Sequence, residues 1–175
     1  KIIGTGSSLP QKVVTNDDLA AIMDTSDEWI SSRTGIRKRH IATTETTTSL
    51  AVEAVKAALS DAGTDGSEID LIIAASVTGD KIVPSLACRI QAEIGADSAV
   101  AFDINAACSG FLFALATADA YFKTGRFHKA VILGAEVLSK IMDWNDRSTC
   151  VLFGDGAGAA VVSDEGDSFK AFVQG

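Results

Sequence analysis

Apolar and polar positions along this chain fall into blocks that predict alternating strands and helices. KIIGTG, residues 1–6, reads as a short strand ending in a turn, and SSLPQKVVTN as loop, with Pro10 as a breaker. Two short helices are expected next, DDLAAIM and DEWISSRTG. Asn16 caps the first, Thr25 or Ser26 caps the second, and Gly35 ends it. Leu50, Ala54, Ala57, Ala58 and Ala62 recur near helical spacing. That predicts a longer amphipathic helix, capped by Thr48 or Ser49 and closed by Gly63.

IDLIIAASV is a nearly continuous apolar run, the pattern of a strand buried on both faces. Pro84 suits the first position of a helix SLACRIQAEIG that stops at Gly95. AVAFDI is the next strand and NAACSG a tight turn. FLFALATADAYFKTG is a strong helix, with Leu112, Leu115, Ala116, Ala118 and Phe122 along one side and Gly125 at its end. KAVILGAEVLS is another buried strand. CVLFGDGAGAAVVS reads as two strands joined by a Gly-rich connection, forming an antiparallel pair at one sheet edge. This order predicts an α/β fold with helices on both sheet faces. With no linker and no repeat, residues 1–175 form one domain. The chain opens on Lys1 without Met, and FKAFVQG at its end resembles the start of a further strand, so it reads as a piece of a longer protein.

Composition narrows the class. The chain is 47% hydrophobic and 22% charged, as in a folded globular protein. Only 6% is aromatic, so Ala, Val, Ile and Leu must build the core. No apolar run reaches the roughly 18 residues of a membrane span, and KIIGTG lacks the plan of a signal peptide. A cytoplasmic protein with no membrane partner is expected. Cys88, Cys108 and Cys150 are odd in number and show no metal-ligand spacing, which argues against a disulfide framework or a metal site. A net charge of −8 argues against a nucleic-acid partner. Arg33, Arg37, Lys38, Arg39 and His40 form a local basic cluster, either a solvated turn or a patch that steers phosphates.

Candidate chemistry centres on Cys108. It lies between an apolar strand and a strong helix, in a turn of small residues: Ala106, Ala107, Ser109 and Gly110. This pattern matches a nucleophile elbow, which lifts the reactive atom to the carboxyl edge of a sheet. The positive end of the helix dipole would favour the thiolate there. A buried, inert thiol is the competing reading. Cys88 and Cys150 suit core packing. GTGSSLP and GDGAGA lack the strand–loop–helix context of a dinucleotide site, so no bound cofactor is expected. His40 sits in the basic cluster, and His128 precedes a strand, at the end opposite Cys108. Trp29 and Arg33 share a helix face at i,i+4. They suit either an adenine and its phosphates or an ordinary helix–core anchor.

Taken together, KIIGTGSSLP, TSDEWISSRTGIRKRH, AFDINAACSGF and DRSTCVLFGDGAGAAVV resemble β-ketoacyl-acyl-carrier-protein synthase III, the initiating condensing enzyme of type II fatty-acid synthesis. The resemblance implies a thiolase-like half: a five-stranded mixed sheet covered by helices on both faces, with a second, C-terminal half absent from this chain. It implies an acyltransferase in which an acyl-CoA acylates Cys108. Decarboxylative condensation with malonyl-acyl-carrier protein then gives a 3-oxoacyl product. Thr25, Trp29, Arg33 and Arg147 match CoA-holding positions, and Phe153 a residue near the thioester channel. Val83 falls where relatives carry a bulky Phe lining the acyl pocket across a homodimer interface, so a wider primer range is expected. The backbone N–H of Cys108 would be one oxyanion donor. The family's catalytic His and Asn belong to the second half, so neither His40 nor His128 is expected to serve. Another thiolase-fold starter enzyme, of alkylquinolone or polyketide type, and a non-catalytic half-domain are the alternatives.

Overall fold

A computed structural model describes residues 1–166. Its centre is a five-stranded mixed sheet built from β1 (Ile2–Ser8), β4 (Leu71–Ala75), β5 (Val100–Ile104), β6 (Lys129–Val137) and β7 (Asp155–Ser163), in the order β1-β7-β6-β4-β5. β4 runs parallel to β5 and β6, while β7 is antiparallel to β6 and β1. β2 (Val13–Thr15) and β3 (Lys38–His40) form a separate antiparallel pair.

Alternation along the strands assigns each face. In β4, Ile72 and Ala74 pack with α3 (Thr47–Ala62) and α4 (Leu86–Ile94), through Leu50, Val55, Leu86 and Ile90. Leu71 and Ile73 point the other way, onto Ala114, Leu115 and Ala118 of α5 (Gly110–Phe122). Every β4 residue is buried, as the continuous apolar run predicts. Three further helices are short: α1 (Asn16–Ala20), α2 (Asp27–Thr34) and α6 (Arg147–Cys150). Leu19, Ile30, Cys150 and Val151 gather them into a small separate core.

The helix stops at Gly35, Gly63 and Gly95 are as expected, each in the left-handed region. The α2 cap is one of the two expected, while the other starts differ because another hydroxyl makes the better cap, earlier in the chain for α1 and α3 and after Pro84 for α4. Thr15, not Asn16, caps α1 in a reciprocal box with Asp18. Asn16 is buried instead and bonds Asp27 and the Ile36 carbonyl. Ser26 caps α2, and Thr46 caps α3 in a box with Ser49. Ser85 caps α4, so Pro84 precedes that helix rather than starting it.

CVLFGDGAGAAVVS holds one strand, not two. Cys150 ends α6, and Gly156 and Gly158 lie inside β7, whose antiparallel edge partner is β1 from the start of the chain rather than a sequence-adjacent strand. On α5 the buried side runs through Ala114, Leu115 and Ala118, whereas Leu112 is 62% exposed. The basic cluster is not a turn: Lys38, Arg39 and His40 form β3. Arg39 is buried, donating to Asn16 Oδ1 at 2.8 Å and to the carbonyls of Val14 and Val151. It ties β2, β3 and the end of α6 together and is not available to phosphates. FKAFVQG, expected to open a further strand, lies outside the described residues.

Candidate active site

Cys108 sits in a single 3-10 turn, Ala107–Ser109, between β5 and α5. The turn is sharp enough to hold Ala107 at a φ of +45°, a conformation that non-glycine residues seldom adopt. The N–H groups of Ser109 and Gly110 close on the carbonyls of Ala106 and Ala107. Gly110 starts α5 against β4, where a Cβ would stand 2.7 Å from the Ala75 Cβ, so the close approach requires glycine. The thiol is thereby brought to the carboxyl edge of the parallel strands, and the residue is exposed. The expected elbow is present, and the thiol is not buried.

Cys108 opens onto a depression of about 380 Å³ lined also by Leu9, Phe111, Glu136, Gly156 and Gly158. The small-residue turn foretold the opening. Leu9, Phe111 and Glu136 were not foreseen, because they arrive from the residue after β1, from α5 and from β6, and no local pattern links them. The other thiols differ. Cys150 is buried 3.5 Å from Met23 Sδ, and burial pushes its thiol up. Cys88 is half-buried, pointing at the Ala101 carbonyl.

A second cluster brings together three predicted residues from two separate segments. The guanidinium of Arg33 lies 4.6 Å from the centre of the Trp29 ring, and that of Arg147 lies 4.7 Å from it. The Arg33 side chain donates back to the Trp29 carbonyl, and Arg147 donates to the Asp24 carbonyl at 2.6 Å. Thr25 stands just before the Ser26 cap, and its buried hydroxyl has no hydrogen-bond partner. An aromatic plate with two guanidiniums and an unused hydroxyl is suited to a flat ring bearing phosphates.

Phe153 and Val83 are not among the residues lining the Cys108 depression. Phe153 is partly exposed beyond α6, and Val83 is 80% exposed in the β4–α4 loop. His128 lies at the amino end of β6, opposite the Cys108 edge, with its Nδ1 2.7 Å from Asp164. His40 Nδ1 is 2.6 Å from the Pro10 carbonyl, a structural contact. Among the described residues no group of side chains is arranged to hold a metal ion, and no helix is long and apolar enough to cross a membrane.

Known proteins share this fold. The family model for 3-oxoacyl-[acyl-carrier-protein (ACP)] synthase III matches residues 102–174. The β-ketoacyl-[acyl-carrier-protein] synthase III of Clostridium acetobutylicum is 54% identical over 173 residues, covering 98% of this chain and 53% of that protein. The synthase III of Streptococcus pneumoniae is 55% identical over 172 residues, with the same coverage of 98% and 53%. Among solved structures, the 3-oxoacyl-[acyl-carrier-protein] synthase III of Aquifex aeolicus superposes with a TM-score of 0.93 at 55% identity, covering 95% of this chain and 54% of that one. The priming β-ketosynthase of the R1128 polyketide pathway gives 0.90 at 41% identity, covering 93% of this chain and 49% of that one. The chain spans about half the length of the curated relatives it matches. By sequence and by fold alike, the chain is similar to one half of the β-ketoacyl-[acyl-carrier-protein] synthase III proteins.

Proposed function

We propose that this chain is the nucleophile-bearing half of an acyltransferase that starts fatty-acid synthesis. The observation that carries this reading is the exposed Cys108 on the carboxyl edge, at the head of α5 and facing an open depression. Its thiolate attacks the thioester carbonyl of an acyl-CoA, and the tetrahedral oxyanion is held by the Cys108 N–H. The CoA thiolate leaves, and the acyl group stays on Sγ. Trp29 stacks on the adenine, Arg33 and Arg147 meet the phosphates, and Thr25, just before the α2 cap, belongs to the same set. Phe153 borders the path of the thioester. No cofactor takes part. Malonyl-acyl-carrier protein then loses CO2, and its carbanion takes the acyl group to give a 3-oxoacyl product. That second step needs the His and Asn of a C-terminal half.

The surface supports such a partner half. Gly134 and Gly158 pair across β6 and β7 on the α5 face, and a Cβ on either would meet nothing within 4 Å. Leu9, Leu112 and Phe113 are exposed beside or on α5. A bare apolar patch of this kind is a surface for packing. A homodimer is proposed on similar grounds: β5 is an edge strand, Val100 on it is exposed, and Ile82 and Val83 project unpaired. The cytoplasm is the proposed location. A polyketide-priming role is the second reading, favoured by the R1128 likeness.

The test joins the chain to its C-terminal half and supplies acetyl-CoA with malonyl-acyl-carrier protein. Formation of the four-carbon 3-oxoacyl product supports fatty-acid initiation. Turnover only with a non-acetyl starter moves the role to polyketide priming. CoA release with no condensation product under any starter contradicts both readings.

A further inference from the structure

The connection from β4 to α4, residues 76–85, has a held root and a bare tip. At the root, the Val77 N–H donates to Glu136 Oε1 at 2.8 Å, and the Thr78 hydroxyl donates to Glu136 Oε2. The same hydroxyl accepts from the Val137 N–H at 2.9 Å, and the Thr78 carbonyl accepts from the Thr47 hydroxyl at 2.7 Å. Asp80 accepts from the N–H groups of Thr47 and Thr48 and from Lys140. Beyond the tip, Asp103 accepts from the N–H groups of Leu86 and Ala87. Between these anchors Ile82 is 95% exposed and Val83 80% exposed.

Asp80 and Asp103 grip backbone amides at helix N-termini, an ordinary structural duty. Glu136 is different. It lies on the α5 face of β6 and lines the depression beside Cys108, yet its carboxylate is spent on the loop. One side chain therefore connects the wall of the acyl site to the segment that carries Val83. We infer that Glu136 is a positioning residue for acyl-chain selection, held by the loop root so that the depression beside Cys108 keeps one shape. This rests on the acyl-transfer reading above.

A carboxylate suits the place because both of its oxygens accept, one from an amide and one from a hydroxyl that is itself committed to Val137. Glu136→Gln keeps the first bond and turns the second around, since the Thr78 oxygen can accept from the new amide. Glu136→Ala removes both and leaves the Val77 N–H without its partner. The loop then samples other positions, and the acyl site no longer has a fixed size.

The experiment uses the complete protein and measures kcat/KM for Cys108 acylation with acetyl-CoA and isobutyryl-CoA. Glu136→Ala is expected to change the ratio between the two by about ten-fold, the scale of one or two methyl groups in a pocket. Glu136→Gln should stay within about two-fold of the parent ratio. Thr78→Val tests the same link without touching the depression and should shift the ratio in the same direction. Faster amide exchange of Val77 and Val137 in Glu136→Ala should accompany the change. A ratio unchanged in both Glu136→Ala and Thr78→Val, with acylation intact, overturns the inference alone. No acylation of the parent protein by either thioester overturns the acyl-transfer reading, and the inference falls with it.

Discussion

On one face of the sheet, Gly4 and Gly6 lie so near α3 that a Cβ would stand 2.5 Å from the Ala58 carbonyl oxygen in one case and 2.2 Å from that of Ala54 in the other. On the other face, Gly134 and Gly158 look onto open space. The same residue type answers two different demands. Toward α3, glycine admits the chain's own helix, and the core from Leu50 to Val161 is closed. Toward α5, the helix covers β4 and β6 but leaves the Gly134–Gly158 patch bare next to Cys108. Glycine inside a strand weakens it unless something approaches closely. The comparison teaches that the closed face builds the domain, while the open face is shaped for what the domain meets.

Substitutions can break this contrast. The largest effect is expected for Gly6→Ala, which must push α3 outward. A loss of about 3 kcal/mol is expected, read by urea unfolding, since overpacking of this kind forces the backbone to move. Gly158→Ala should stay within about 0.5 kcal/mol in the chain alone. Similar losses at both sites would erase the distinction. Next comes Leu112→Glu, which should leave the isolated chain unchanged by calorimetry. It should weaken association with the C-terminal half by about 2 kcal/mol, the scale of a buried leucine side chain. Undiminished association would show that this side of α5 is not a packing surface.

A smaller effect tests the aromatic cluster. Trp29→Ala should raise the Kd for CoA about ten-fold, the scale of one lost stacking and cation–π contact. Titration calorimetry reads it directly, and unchanged affinity would return Trp29 to a role as helix anchor. The smallest effect is at the closed end of the sheet. The hydrogen bond that His128 donates to the Asp164 carboxylate raises the His128 pKa above its ordinary value of 6.5. Stability from this pair is therefore fully present below that ordinary value and lost as pH rises through the raised one. Thermal midpoints of the parent should fall slightly relative to His128→Gln as pH rises from 6.5. Parallel curves would remove the pair from the account.

The architecture was largely legible because strand and helix periods are local signals. IDLIIAASV could only be a strand covered on both sides, and the turn at Cys108 was marked by its small residues. What escaped was set by distant contacts. Leu112 continues the apolar spacing of α5 and looks like core, yet it faces outward, since among the described residues no element packs over that side of the helix. Arg39 looks like surface charge within RKRH. It is buried because Asn16 and the Val14 and Val151 carbonyls, from three separate segments, converge on it. Glu136 gave no local signal at all, since its partners Val77 and Thr78 lie on a neighbouring strand's loop. The Trp29–Arg33 pair was visible from helical spacing, but the approach of Arg147 was not.

The central claim is that Cys108, alone among the three thiols, accepts an acyl group. The direct measurement is intact-mass analysis with peptide mapping after acetyl-CoA is added to the chain joined to its C-terminal half. A single acetyl adduct is predicted on Cys108, absent in Cys108→Ser and retained in Cys88→Ser. No adduct, or one that maps to Cys88 or Cys150, would contradict the account.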